Sequence, residues 1–420
     1  MIKLAPFESC TGCTACMNSC SHNAIVMAED AEGFIFPHIN GNKCVECGLC
    51  MRVCPVLNTP IITNVTKPNV FAVWSLKDRT VSSSGGAFSA FARNVLEADG
   101  VVFGATLGTN LLCYHREIHM IEELEVLRGS KYVQSELRDT FFKVKAYLKE
   151  GKNVLFTGTP CQVDGLYRYL RRNYDNLLTL DLVCHGVPSN TLFHSYLLKL
   201  EDLKKVKISM FEFRRRNGWG FASAISDRGK LEPIYDIENL YMYAFDKAVL
   251  FRKSCYACPY ARLPRVGDCS IADFWGIGRH GKSFKHNVLK GVSLVLANNA
   301  KGINAVQNLQ ESFVEERTLD EALAENYNII HPSPLHPMRD KIIAAFLDSS
   351  RSLKSINKEF ELIDNSLKER VKEYASRYHI YDLLKISTIN IKLYESSYPI
   401  YARSEELWFI PSGFFFEKNY

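Results

Sequence analysis

No stretch of this 420-residue chain carries the ~20 successive apolar residues that a membrane-crossing helix needs. No basic start followed by an apolar run precedes Cys10, so a secretory leader is not expected. Excess charge is also scarce. Lys and Arg number 51 against 46 Asp and Glu, a net charge of +5 that is no nucleic-acid signature but suits an acidic partner or a phosphate-bearing cofactor. The length predicts two or three domains, and 47% hydrophobic residues allow a substantial core.

Cysteine, by contrast, is abundant: 14 residues, eight of them between Cys10 and Cys54. In a small secreted protein they would form a disulfide framework, but C-x-x-C repeats in a long chain without a leader read as metal ligation in a reducing cytoplasm. Cys10-x-x-Cys13-x-x-Cys16-x-x-x-Cys20 is echoed by Cys44-x-x-Cys47-x-x-Cys50-x-x-x-Cys54-Pro55, the one clear internal repeat. Such spacing lets three thiolates grip one cubane while the fourth reaches across to the other. One 4Fe–4S cluster is therefore expected on Cys10, Cys13, Cys16 and Cys54, the other on Cys44, Cys47, Cys50 and Cys20. Zinc fits the duplicated run poorly. A short hairpin, Ile25–Met27 and Phe34–His38, separates the two runs, as in a bacterial two-cluster ferredoxin domain. Ser21 departs from that pattern where Pro55 keeps it, but no ligand is lost.

Leu57–Asn69 reads as a linker. Beyond it, Val70–Ser75, Val101–Thr106, Tyr114–His119, Val154–Phe156, Leu177–Val183, Lys207–Arg214, Cys269–Trp275 and Val292–Asn298 are predicted strands. Ala87–Ala98, Arg138–Lys149, a segment after Pro160 in which Val163, Leu166 and Leu170 recur, Thr191–Leu203 and a stretch from Ile303 are predicted helices. The central unit is strand, helix, strand, and its strands lead to Cys161 and Cys184. Parallel sheets place ligands beyond the carboxyl ends of their strands, so both thiols reach the functional edge. The exposed N–H groups after Thr157-Gly158-Thr159-Pro160 could receive a phosphate. Ser84-Gly85-Gly86 is a second phosphate cradle or, taken alone, a capped helix start. Gly129-Ser130-Lys131-Tyr132 lies in a loop. Arg214-Arg215-Arg216-Asn217-Gly218-Trp219 is a solvated edge, or a hold for a phosphate or an acidic electron carrier.

Gly276–Ser283 reads G-I-G-R-H-G-K-S and matches the phosphate-loop pattern of ATP-binding proteins. That mechanism needs a helix directly after the lysine, and fewer than ten residues separate Lys282 from the next strand. ATP binding there is a minor alternative. After Glu315 the composition turns charged and helical, ending on Leu407-Trp-Phe-Ile-Pro-Ser-Gly-Phe-Phe-Phe, which reads as a packed tail or as a partner or membrane-surface contact.

Seven words, S-S-G-G-A-F-S-A, R-G-S-K-Y-V-Q-S, V-L-F-T-G-T-P-C-Q, D-L-V-C-H-G-V-P-S, F-R-R-R-N-G-W, S-C-Y-A-C-P-Y-A and A-D-F-W-G-I, follow one another from Ser83 to Ile277, with G-V-S-L-V-L closing at Leu296. In these the chain resembles the coenzyme F(420) hydrogenase/dehydrogenase beta-subunit family. With the ferredoxin-type head the likeness leaves only the tail after Glu315 uncovered. It implies a flavoprotein with iron–sulfur centres, similar members of which oxidise or reduce the deazaflavin coenzyme. It further implies FAD, held around Ser84, Gly85, Gly86, Gly129, Ser130, Lys131, Tyr132, Thr157, Gly158 and Thr159, and a third cluster in the catalytic domain. Cys255 and Cys258 supply one pair for that cluster, with Cys161 and Cys184 the complement. In the competing account Cys161 is a flavin-side thiol and Cys255, Cys258 and Cys269 hold zinc. Cys113 reads as core.

The expected fold is an α+β ferredoxin-type head (1–64, motifs at about 1–30 and 35–64), then an α/β flavin and iron–sulfur catalytic domain (65–315) and a mostly helical extension (316–420). The expected function is a cytoplasmic iron–sulfur flavoprotein oxidoreductase. It would pass electrons between its clusters and a flavin-bound, hydride-type step on a small molecule or deazaflavin-like coenzyme. The expected partner is an electron-carrier protein or redox subunit, and nucleic acid is not expected. The alternative is a non-catalytic electron-transfer subunit serving a partner enzyme.

Overall fold

Short apolar runs, buried on both faces, set the architecture. Val154-Leu155-Phe156 and the runs resembling it alternate their side chains between two layers, as extended backbone must. The computed structural model describes residues 2–58, 62–214, 223–227 and 229–363, which belong to one compact unit, Met1–Asp364. In order, the elements are α1 (Ala15–Asn18), β1 (Ile25–Glu29), β2 (Ile35–Ile39), α2 (Leu49–Arg52), β3 (Asn69–Ser75), α3 (Ala87–Glu97), β4 (Val101–Leu107) and β5 (Cys113–Ile118). Then come α4 (Thr140–Lys149), β6 (Val154–Gly158), α5 (Pro160–Leu170), β7 (Leu177–Leu182), α6 (Asn190–Lys204), β8 (Met210–Glu212), β9 (Ala224–Ser226), β10 (Glu232–Pro233) and α7 (Leu240–Asp246). The described part closes with β11 (Cys269–Asp273), β12 (Ser293–Ala297), α8 (Ala300–Gln307), β13 (Ser312–Arg317), α9 (Leu319–Glu325), α10 (Arg339–Leu347) and α11 (Leu353–Phe360).

Eight strands form one mixed sheet in the order β13-β3-β12-β11-β7-β6-β4-β5. The four central strands, β4, β6, β7 and β11, are parallel, with Val101 opposite Val154, Val154 opposite Leu177 and Leu180 opposite Cys269. Antiparallel strands flank them: β5 on one side, β12, β3 and β13 on the other. The sheet is thus parallel only in its middle. Val154 and Phe156 face the layer of Phe141, Val144, Val163 and Leu166 from α4 and α5. Leu155 faces Phe91 and Leu96 of α3 and Val306 of α8. Each fully buried side chain of this size contributes about 1.5–3 kcal/mol relative to exposure.

One expectation needs correction. The segment Lys207–Arg214 is not a strand of this sheet. Only Met210–Glu212 is extended, in a separate three-stranded antiparallel sheet with β9 and β10. Its end turns inward because Arg214, buried, pairs with Asp273; Arg215–Trp219 lie outside the described residues. After Glu315 the chain first completes β13 against β3 with Glu316 and Arg317 and then turns to the helices α9, α10 and α11. Beyond β13, Ile342, Ile343, Phe346, Leu353 and Ile356 share a core with Phe193 and Leu200 of α6. The tail from residue 364 onward lies outside the described residues.

The head is bolted to the sheet domain. β1 and β2 pair as the expected hairpin, Ile25 opposite Ile39. At its turn, Glu32 accepts two bonds from buried Arg339, at 2.9 and 2.6 Å, and its carbonyl accepts one from Ser189 Oγ at 2.6 Å. Gly33 has φ +78°, and a Cβ there would lie 2.2 Å from Thr191 Cβ, so only glycine passes. The linker is held too, Asn64 donating to the carbonyls of Arg265, Val266 and Gly267.

Candidate functional site

The two cysteine runs meet in the crossed manner. Burial, then Cys10 and Cys54, push the Cys16 thiol up to about 12. Burial also raises Cys13 beside Cys16 and Cys10, and raises Cys54 beside Cys10. In the other group burial raises Cys50 against Cys44 and Cys47. Cys20 joins that group across the hairpin: Cys20, Cys44, Cys47 and Cys50 line one cavity together with Ala24, Ile25 and Ile39.

A second convergence forms at the carboxyl edge of the sheet. Cys161 sits in the first turn of α5, whose start is fixed by Pro160 and by a reciprocal cap between Thr159 and Gln162. Cys184 follows the end of β7, and Cys255 lies in the turn Lys253–Ala257. Every pair among Cys161, Cys184, Cys255 and Cys258 interacts electrostatically. Burial pushes Cys161 to about 11 and Cys255 to about 12, and the neighbouring thiols push the same way. Four such thiols ionise only with a cation among them. Among the described residues, no three His, Cys, Asp or Glu side chains gather tightly enough for a single metal ion. A lone zinc needs sulfur at about 2.3 Å, whereas a cubane offers separate irons to thiolates spread around it. The residues present fit a cluster.

Cys269 stands apart. Its thiol donates to Gly302 O, and it belongs to the core on the opposite face of the sheet from Cys161 and Cys258. It does not complete a zinc site with Cys255 and Cys258. Cys113 is likewise fully buried in the core.

The head and the second convergence adjoin. Cys13 and Cys161 are electrostatic neighbours. Gly165 of α5 makes room for this: a Cβ there would lie 3.0 Å from Cys13 Cβ and 3.1 Å from its sulfur. Tyr260, buried and donating to Asp164 at 2.8 Å, has both Cys161 and Cys13 beside its phenol.

The expected flavin residues divide. Ser84 Oγ donates to Val292 O, and Gly85 is pressed to the sheet, where a Cβ would be 2.2 Å from Val73 O. Gly86 (φ +90°) begins α3, whose Ala87 N–H is taken by Ser293 Oγ. Thr157 Oγ1 is engaged by Phe103 O, Gly158 abuts Gln162, and Thr159 caps α5. These shape the backbone more than they offer side chains. Around them, however, Ser83 Oγ and Arg79 Nε are buried without hydrogen-bond partners among the described residues. Arg79 is lowered to about 10, by burial first and then by the nearby Arg214. Arg214 in turn bonds Ser83 O and pairs with Asp273. Gly129 (φ +81°) approaches Ser83, Ser130 and Arg214 bond Tyr132, and Lys131 donates to the carbonyls of Leu127 and Arg128. Two buried guanidinium groups with one shared carboxylate fit an anion such as a flavin's phosphates. Sequence reasoning missed Arg79 and Ser83; a lone arginine after a strand carries no such signal.

Gly276–Ser283 is no phosphate loop. Gly278 N–H already donates to Glu321, Lys282 pairs with Glu315 at 2.9 Å, and Arg279 and His280 pair with Glu325. After Ser283 comes only the turn Val288–Lys290. Carboxylates therefore occupy the place a phosphate would take. Lys282→Ala is expected to leave iron and flavin contents unchanged, and calorimetry should detect no magnesium–ATP binding before or after the change.

Residues 151–322 match the family described as the C terminus of the coenzyme F(420) hydrogenase/dehydrogenase beta subunit, and residues 9–58 match the 4Fe–4S dicluster domain. The chain thus joins a 4Fe–4S dicluster region to a C-terminal domain of the coenzyme F(420) hydrogenase/dehydrogenase beta-subunit family. Its dicluster match spans all eight head cysteines, and its beta-subunit match spans Cys161, Cys184, Cys255 and Cys258. One subunit of the F(420)H(2) dehydrogenase from Methanosarcina mazei, designated F, is 26% identical over 301 residues, 64% of this chain and 78% of the relative. A chain of the F(420)-reducing NiFe hydrogenase complex from Methanosarcina barkeri aligns at a TM-score of 0.41 and 16% identity, over 72% of this chain and 94% of that one. Among the described residues no helix is long and apolar enough to cross a membrane.

Proposed function

We propose that this chain is an iron–sulfur flavoprotein oxidoreductase subunit that passes electrons between a partner redox protein and a small molecule or deazaflavin-like coenzyme. The observation that carries the reading is the adjacency of Cys13 and Cys161, which joins the head's thiol groups to a third group in the catalytic domain. In this reading Cys20, Cys44, Cys47 and Cys50 hold one cluster and Cys10, Cys13, Cys16 and Cys54 the next. Cys161, Cys184, Cys255 and Cys258 hold the third. Arg79, Arg214 and Ser83 receive the phosphates of FAD. When bound, the clusters supply one-electron exchange and the flavin a junction between one- and two-electron chemistry. The chain's own part is to fix the thiols in sequence, exclude water around them and neutralise the flavin's charge. The name of the Methanosarcina mazei relative, a dehydrogenase subunit, supports a partner subunit. A reducing cytoplasmic setting belongs to the same proposal.

The unpartnered Arg79 Nε and Ser83 Oγ favour a flavin-bearing enzyme over a flavin-free relay. Chain purified without oxygen is expected to hold about one flavin and about twelve irons, four for each of three clusters. Arg79→Gln should lower flavin content at least several-fold at unchanged iron. Full iron with no flavin in the parent would make the relay the correct reading.

A further inference from the structure

Arg252 is among the most deeply buried side chains, at 1% exposure. Most other buried arginines meet a carboxylate: Arg265 meets Asp181, Arg339 meets Glu32, Arg317 meets Glu321 and Arg214 meets Asp273. Arg252 meets neutral oxygens instead. Its guanidinium donates to Cys10 O at 2.7 Å, Ile35 O at 3.0 Å and Gln134 Oε1 at 3.3 Å. It lies 4.0 Å over the Phe36 ring, and no carboxylate among the described residues is within ion-pair distance of it. Its backbone carbonyl accepts from Cys255 N–H at 2.9 Å, so it is one piece with the C-x-x-C turn. The ionisable groups facing it are Cys10, Cys255 and Cys161, with Asp30 further off.

An arginine does not shed its proton, so this position holds a fixed positive charge in the interior. Such a charge is costly unless an opposite charge answers it. The groups around it are thiols of two different sets, Cys10 on one side and Cys161 and Cys255 on the other. Four thiolates leave a cluster net negative, and each added electron makes it more so. Net charge and hydrogen bonding near the sulfurs are what set a cluster's potential.

We infer that Arg252 is a shared electrostatic positioning residue between the cluster of Cys10, Cys13, Cys16 and Cys54 and that of Cys161, Cys184, Cys255 and Cys258. It raises the potentials of both. The inference rests on the three-cluster reading above. The remote cluster of Cys20, Cys44, Cys47 and Cys50 serves as an internal control.

The test is a redox titration followed by low-temperature electron paramagnetic resonance on the full chain, with iron and sulfide counted in each sample. Arg252→Met should move two of the three midpoint potentials to more negative values and leave the third in place. Arg252→Lys, which keeps the charge, should restore most of the shift. Should Arg252→Met fail to fold, Gln134→Glu carries the test, because it sets a carboxylate against the guanidinium at nearly constant shape. It is expected to shift the same two potentials downward. Unchanged potentials in Gln134→Glu at full iron would overturn the inference, as would equal shifts in Arg252→Lys and Arg252→Met. A parent protein short of three clusters would instead overturn the functional reading, and the inference with it.

Discussion

Cys184→Ser protein is expected to carry about eight irons where the parent carries about twelve. The loss follows from how the four thiols are delivered. Cys161 and Cys184 come off the ends of adjacent parallel strands, with Gly158 opposite Asp181 in the register, and cannot drift apart without breaking the sheet. Cys255 and Cys258 arrive on a turn whose Tyr256 hydroxyl donates to Ala248 O and whose Arg252 reaches into the head. No fifth cysteine is placed to substitute, since Cys269 faces Gly302 and Cys113 interacts with Lys131 and Ser135. Cys161→Ser, Cys255→Ser and Cys258→Ser should therefore each lose the same four irons, and Cys269→Ser none. The resonance signals of the head clusters should survive in all five proteins. A full iron count in Cys184→Ser would remove that residue from the ligand set.

The second large effect concerns stability. Arg265 and Asp181 form an ion pair with side chains 1% and 0% exposed. Asp181 accepts at 2.6 Å from Arg265 and at 2.7 Å from Gly267 N–H, while Arg265 also holds Tyr260 O and Ser270 Oγ. Through these bonds β7 grips the segment that follows Cys258. Arg265→Met would leave a carboxylate in the core with no cation, a loss of about 3–5 kcal/mol. Chemical unfolding of the single variant should register it. The double variant Asp181→Leu with Arg265→Met should recover much of the loss, because paired apolar side chains leave no stranded charge. Equal loss in the single and double variants would show that the backbone bonds, rather than the ion pair, carry the stability.

The sequence made some of this legible and not the rest. The central strand–helix–strand unit was readable because Val154–Phe156 and Leu177–Leu182 are dense apolar runs separated by one periodic helix, so local pattern and tertiary placement agree. The crossed approach of Cys20 and Cys54 was readable because cluster chemistry fixes it in the spacing itself. What could not be read is pairing over long separations: nothing in Val70–Ser75 says that its neighbours are β12 and β13. Buried charge was equally hidden. Arg79, Arg252 and Arg265 resemble surface arginines as letters, and only the tertiary structure shows that each lies in the interior. The Gly276–Ser283 stretch misled in the opposite sense, because a string match says nothing of the three glutamates folded against it.

The place of β3 in the sheet also bears on how the protein is made. Both strands that flank it come from far downstream: β12 begins at Ser293 and β13 at Ser312. A ribosome adding roughly 5–20 residues per second would need on the order of ten to forty seconds after Ser75 before the first of them emerged. During that interval Val70, Phe71 and Val73 have no sheet to join, and both edges of the strand stay open to wrong partners. Three of the four parallel strands, β4, β6 and β7, are complete much earlier and can assemble while β3 waits. Synthesis thus favours closing the sheet last at its first-made strand.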